Sequence, residues 1–271
     1  MSALARRGLR ALPRTTSVLT VAAVVMLALP TAIILVASLT TGSNIVFPPH
    51  GITFHWYGDL LSDEGIREGL LHSLYVAAVA VVVDTVAGVL AALALAGPLR
   101  RGAGVARLFL SLGIMTPVIV SAFAFYTVAL EIEMSGNLTL VGLGVAVVVF
   151  PFMLWTIGSA LAERDPSLTE AAATMGTDPV EQFLFVTLPL LGPGIFTGAL
   201  LVFVLAITDF LVSLVLTNVD TQTLPVVIYS GLRSNVSPLL GAATVLFILV
   251  AAIVCAVVLR VGKLERFAFG K

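Results

Sequence analysis

The stretch AERDPSLTEAAATMGTDPVEQFLFVTLPL, residues 162–190, decides the reading of this chain, because it is a polar segment with internal order set between two long apolar runs. Asp165 is placed to cap a helix, with Pro166 at the first helical position and Glu170, Ala171, Ala172 and Ala173 as good early-turn and interior residues. Gly176 is expected to stop that helix in a left-handed conformation. A second helix is predicted from Asp178 as cap, with Pro179 at its first position and Glu181 completing a capping box. It is expected to run through Phe183 and Phe185 and to end at Pro189. The pattern predicts a helix–glycine–helix hairpin.

Working outward, both flanks are uncharged for longer than a soluble helix requires. A helix needs about 20 apolar residues to cross roughly 30 Å of hydrocarbon at ~1.5 Å per residue. Six stretches qualify: Val18 to Leu39, Leu71 to Ala96, Leu108 to Leu130, Leu138 to Leu161, Leu191 to Thr217 and Leu239 to Leu259. Only Asp84 and Asp209 carry charge inside them. With 59% hydrophobic and 11% charged residues and a mean hydropathy of +1.12, the chain has too little polar surface to cover a water-soluble core, so the bilayer is its solvent. The first run exceeds the roughly 7–15 apolar residues of a signal peptide and is expected to stay as a span. Ala87, Gly88, Ala91 and Ala92 place small residues where helices can approach closely. Pro117 and Pro151 are expected to bend their spans.

Orientation follows from Lys and Arg, which accumulate in cytoplasmic loops. An inside N-terminus collects Arg6, Arg7, Arg10, Arg14, Arg100, Arg101, Arg107, Arg164, Arg260, Lys263, Arg266 and Lys271 on one side, leaving only Arg67 and Arg233 of the 14 basic residues outside. Both termini and the 162–190 loop are therefore expected in the cytoplasm. The outer loops run from Thr40 to Gly69, around Glu131 to Asn137, and from Asn218 to Pro238. The expected organisation is residues 1–68 as N-tail, first span and outer loop, 69–260 as the transmembrane core, and 261–271 as a C-tail.

Glu170, Ala171, Ala172, Gly176, Val186, Leu188 and Pro189 resemble the EAA signature of binding-protein-dependent ABC importer permeases. Three residues separate the alanines from Gly176, nine separate Gly176 from Val186, and Leu188 and Pro189 close the pattern. Valine stands at position 186 where that family usually has isoleucine. The resemblance implies an all-α membrane protein of the type I importer permease fold, with six transmembrane helices. It also implies that the loop acts as a coupling element, seated on a cytoplasmic dimer of ATP-binding subunits. The implied partners are a second permease subunit, identical or distinct, and an extracytoplasmic solute-binding protein, all in or at a bacterial cytoplasmic membrane.

Within that superfamily, Phe47, Pro48, Pro49, Gly51, Trp56 and Tyr57 resemble the first outer loop of spermidine/putrescine-type permeases. Thr208, Asp209 and Phe210, with Thr223, Leu224, Pro225, Val226, Ile228 and Tyr229, resemble their fifth span and last outer loop. Permeases for aminoethylphosphonate and other small charged solutes share these features, so the resemblance implies a small charged solute with a polyamine as one candidate. A carboxylate inside a span costs free energy unless it is paired or wetted. Asp209 is thus a candidate for the solute pathway, where it could partner a cationic amine, or for structural pairing. Asp84 is a second candidate with a structural alternative, and Tyr229 and Arg233 are candidates for contact with solute or binding protein.

The sequence holds no Gly-rich phosphate loop with Lys and Ser or Thr, nor a nucleophile with a spaced His partner, so ATP hydrolysis is expected in a separate subunit. His50, His55 and His72 are scattered, Cys255 stands alone, and neither a metal nor another cofactor is expected. A net charge of -1 argues against a nucleic-acid footprint. The competing class is a secondary transporter driven by an ion gradient through Asp84 and Asp209, which leaves the order of residues 170–189 unexplained. A membrane assembly protein would leave both aspartates unexplained.

Overall fold

In the computed structural model, residues 14–45, 47–96, 102–234 and 237–268 are described. They form α1 (Arg14–Ala37), α2 (His55–Ser62), α3 (Glu64–Ala96), α4 (Ala103–Leu110), α5 (Leu112–Met115), α6 (Val118–Glu131), α7 (Leu138–Glu163), α8 (Pro166–Thr174) and α9 (Pro179–Gln182). A π turn at Phe183–Thr187 leads into α10 (Leu188–Ile207), followed by α11 (Leu211–Leu216), α12 (Leu224–Ser234) and α13 (Pro238–Ala268). No strand occurs among the described residues.

Among the described residues, five helical segments are long and apolar enough to cross a membrane: Val18–Ala37, Glu64–Leu95, Leu138–Glu163, Pro179–Ile207 and Pro238–Val257. The expected third span is not one helix. Thr116 is extended (ψ 133°) in front of Pro117, because a proline ring clashes with a helical residue before it, and the segment divides into α4, α5 and α6. The last of these has 14 residues and reaches about 21 Å, short of the hydrocarbon thickness. Pro151, by contrast, lies buried within an unbroken α7.

The expected fifth span is also interrupted, since the helix stops at Ile207 and resumes at Leu211. Nor does the second loop helix end at Pro189. The Leu188 N–H reaches back to the Phe183 carbonyl, five residues earlier. This widened turn lets the chain continue through Pro189, which has no N–H to offer, into α10. Helix α3 starts seven residues before the expected span, and α13 runs on to Ala268, beyond the expected boundary at 260.

Contacts divide the chain into two units, Met1–Ser62 with Gly231–Leu246, and Asp63–Ser230 with Phe247–Lys271. In the first, Ser38 Oγ hydrogen-bonds Tyr57 Oη at 2.7 Å and Trp56 Nε1 donates to the Thr40 carbonyl at 2.8 Å, so these two aromatics are anchored to the end of α1.

The second unit is built on α3, α7 and α10, each packed on the other two. Small residues set the approach. A Cβ at Gly194 of α10 would stand 2.9 Å from the Thr156 carbonyl and 2.5 Å from Ala160 Cβ, so only glycine lets α10 lie against the α7 backbone there. Gly88 of α3 meets Met153 and Ile157 of α7 in the same way, and Ala92 is buried one turn on. Ala87 and Ala91 are only half-buried. At the other end Ser73 Oγ accepts from the Leu224 N–H, tying the start of α12 to α3.

Candidate functional site

The loop after α7 forms as its sequence dictates. The Asp165 carboxylate accepts from the Ser167 N–H at 2.9 Å, which satisfies an orphan donor at the start of α8 and holds the carboxyl below its usual pKa. At the far end Gly176 has φ +87°. Its N–H bonds the Ala173 carbonyl and the Thr177 N–H bonds the Ala172 carbonyl, a Schellman closure that only a residue without Cβ adopts freely. Thr177 Oγ1 adds a 2.7 Å bond to the same Ala172 carbonyl.

The second turn opens with a complete capping box. Asp178 Oδ1 accepts from the Val180 and Glu181 N–H groups, and Glu181 Oε2 accepts from the Asp178 N–H. Helix α8 packs against the π turn, which brings the first half of the signature to the second. Ala172 is buried within the hairpin at 3% exposure, while Glu170 and Ala171 face outward. Gly176 and Pro189 are also exposed, and Val186 and Leu188 are half-buried.

Two features of the loop had escaped the sequence reading. Arg164 Nη1, just past α7, donates to Thr187 Oγ1 at 3.0 Å and thereby clamps both ends of the loop. Met175, Val180 and Phe185 are apolar yet 78%, 64% and 77% exposed. The signal for the second was available in the sequence as hydrophobics beside the turn residues, whereas the first needs coordinates.

The three expected pathway residues fall into two groups. Asp209 lies in the unwound Thr208–Phe210 link, where Oδ2 accepts from the Ser213 N–H at 2.9 Å and from Ser213 Oγ at 3.0 Å. It is therefore bonded to the opening turn of α11, and the interruption of the fifth span is what exposes those N–H groups to it. The neighbouring Phe210 ring lies 4.9 Å from that of Tyr229 on α12, at a tilt of 58°. Asp84 stands apart. It is 1% exposed within α3, and its Oδ2 has no hydrogen-bond partner among the described residues. Arg233 is exposed on the last turn of α12. His55 pairs with Asp59 and His72 with the Gln222 carbonyl, and no group of three metal-ligating side chains occurs among the described residues.

Residues 84–263 match the family model of the binding-protein-dependent transport system inner membrane component, which covers well over half of the chain. The chain belongs to that family and is the permease subunit of an ABC importer, a multi-pass protein of the bacterial inner membrane. It is 30% identical over 213 residues to the putrescine transport system permease protein PotI of Escherichia coli K12, covering 76% of each chain. It is also 29% identical over 205 residues to the spermidine/putrescine transport system permease protein PotC of Haemophilus influenzae, covering 75% of this chain and 80% of that protein.

Among solved structures it resembles a bacterial ABC transporter involved in the import of the acidic polysaccharide alginate. The TM-score is 0.68 at 20% identity, with 96% of this chain and 98% of that chain covered. The inward-facing MetNI methionine ABC transporter gives a TM-score of 0.64 at 17% identity, with 79% of this chain and 99% of that chain covered. Both likenesses establish the importer permease fold.

Proposed function

We propose that this permease imports a small cationic solute of the polyamine type, and that the 162–190 hairpin couples its helices to a cytoplasmic dimer of ATP-hydrolysing subunits. The observation that carries the coupling role is the hairpin itself, closed at Gly176, capped at Asp178 and clamped by the Arg164–Thr187 bond. A capped, rigid loop can transmit a push to the continuous α10, whereas a floppy one would absorb it. Glu170 and Ala171 supply its outer face, and Met175, Val180 and Phe185 supply apolar surface for the ATPase to cover. The permease works beside a second permease subunit, identical or distinct, and receives solute from an extracytoplasmic binding protein. Its N-terminus, C-terminus and coupling loop face the cytoplasm, in accordance with the distribution of arginine and lysine.

For the solute, support comes from the polyamine permeases among the relatives, from the Asp209 carboxylate, and from the aromatic pair that its chain neighbour Phe210 makes with Tyr229. A carboxylate and two aromatic faces are the groups that hold an organic ammonium. The test is putrescine uptake into proteoliposomes holding the complete complex and its binding protein, with ATP supplied on the ATPase side. ATP-dependent uptake is expected, with competition by spermidine. Uptake driven by an ion gradient without ATP would overturn the coupling, and competition by aminoethylphosphonate but not by polyamines would overturn the solute.

A further inference from the structure

The geometry points to a binding site for the phosphate headgroup of an anionic phospholipid in the cavity where α3, α4 and α7 meet at their coupling-loop ends. The cavity has a volume of about 460 Å³, and Leu95, Arg107, Ser111, Trp155, Gly158 and Ser159 are among the residues that line it. Arg107 is exposed there and enters no ion pair among the described residues. The hydroxyls of Ser111 and Ser159 are likewise without a hydrogen bond among the described residues, whereas Thr116 and Thr127 use the usual bond to the carbonyl four residues back. One guanidinium and two uncommitted hydroxyls facing one space are the donor set of a phosphate.

The remaining lining separates a lipid from a free ion. Leu95, Leu154 and Leu161 give the cavity an apolar wall that suits an acyl chain and that inorganic phosphate would leave unused. Trp155 is 49% exposed beside it, an amphipathic ring of the kind found at headgroup depth. Basic pockets between helices on the cytoplasmic side are where anionic headgroups bind, so the inference rests on the orientation proposed above. Charge argues against the transported solute, because no acidic residue among the described ones lines the cavity and Arg107 repels a cation.

The complete complex is placed in nanodiscs of phosphatidylcholine with or without phosphatidylglycerol. Native mass spectrometry reads the retained lipid, and thermal denaturation reads the stabilisation that phosphatidylglycerol confers. Gly158→Leu narrows the cavity, and no atom lies within 4 Å of the new Cβ to force a backbone shift. Arg107→Gln removes the cation without adding bulk. Arg107→Gln is expected to lower retained phosphatidylglycerol about fivefold, the weight of one basic residue near an anionic surface, and Gly158→Leu is expected to lower it as well, while Arg107→Lys retains most of it. Unchanged retention in Gly158→Leu and Arg107→Gln would overturn the site. So would equal stabilisation of the wild-type complex by inorganic phosphate, or capture of another subunit by a photocrosslinker on Gly158→Cys in a Cys255→Ser background. Orientation is read separately by labelling Thr177→Cys, so a misplaced membrane side and an absent lipid give different results.

Discussion

Arg164 and Thr187 join the two ends of the 162–190 loop through a 3.0 Å bond from the guanidinium to the hydroxyl of a residue only 5% exposed. A hydrogen bond from a charged group contributes about 1.5–3 kcal/mol, more than enough to favour one arrangement of a short loop. Thr187→Val keeps the shape and removes the acceptor. It should leave the complex assembled but lower solute-stimulated ATPase activity severalfold. In a double-mutant cycle with Arg164→Ala, a coupling energy above about 0.5 kcal/mol is expected. Strict additivity would show that the bond carries no energy.

Gly176 tests the hairpin's backbone alone, since its φ is +87° and no atom lies within 4 Å of an added Cβ. A valine there costs roughly 1–2 kcal/mol of left-handed strain, whereas asparagine tolerates that conformation. Gly176→Val should insert normally and lose ATPase docking and uptake. Gly176→Asn should retain both. Equal uptake by the two variants would remove the conformational requirement.

Asp209 combines a cap with a charge, and two substitutions separate them. Asp209→Asn can still accept from the Ser213 N–H and should assemble normally while losing most uptake of a cationic solute. Asp209→Ala also loses the cap, at about 0.5–2 kcal/mol, and should lower the melting temperature as well. Full uptake by a well-assembled Asp209→Asn complex would eliminate the role of its charge.

For Asp84, the absence of a partner for Oδ2 among the described residues reverses the usual expectation for a buried carboxylate. Breaking a buried ion pair costs about 3–5 kcal/mol, but replacing an unsatisfied polar group by an apolar one of similar size is neutral or stabilising. Asp84→Leu should therefore match or exceed the wild-type melting temperature. A large fall would mean that Asp84 finds a partner in the assembled transporter.

Topology is open to single-cysteine labelling once Cys255 has been replaced. In intact cells a membrane-impermeant maleimide should reach Ser62→Cys and miss Thr177→Cys. Labelling of Thr177→Cys from outside would invert the orientation.

Caps and closures of the 162–190 loop were legible in the sequence because they are local. Asp165, Gly176, Asp178 and Glu181 each act on N–H or carbonyl groups within a few residues. The apolar runs were legible for a similar reason, since a span is defined by length and composition along one helix. Continuity was harder to read. Pro151 and Pro189 sit inside helical segments while Pro117 ends one, because neighbouring turns and packed helices decide whether the freed backbone groups find other partners. Only the tertiary structure brought Arg164 to Thr187 and Phe210 to Tyr229, left Asp84 Oδ2 without a partner among the described residues, and grouped Arg107 with Ser111 and Ser159 around one cavity. Those relationships join separate helices, whose register is chosen by small-residue contacts such as Gly88 on Met153, and no single-helix pattern contains that information.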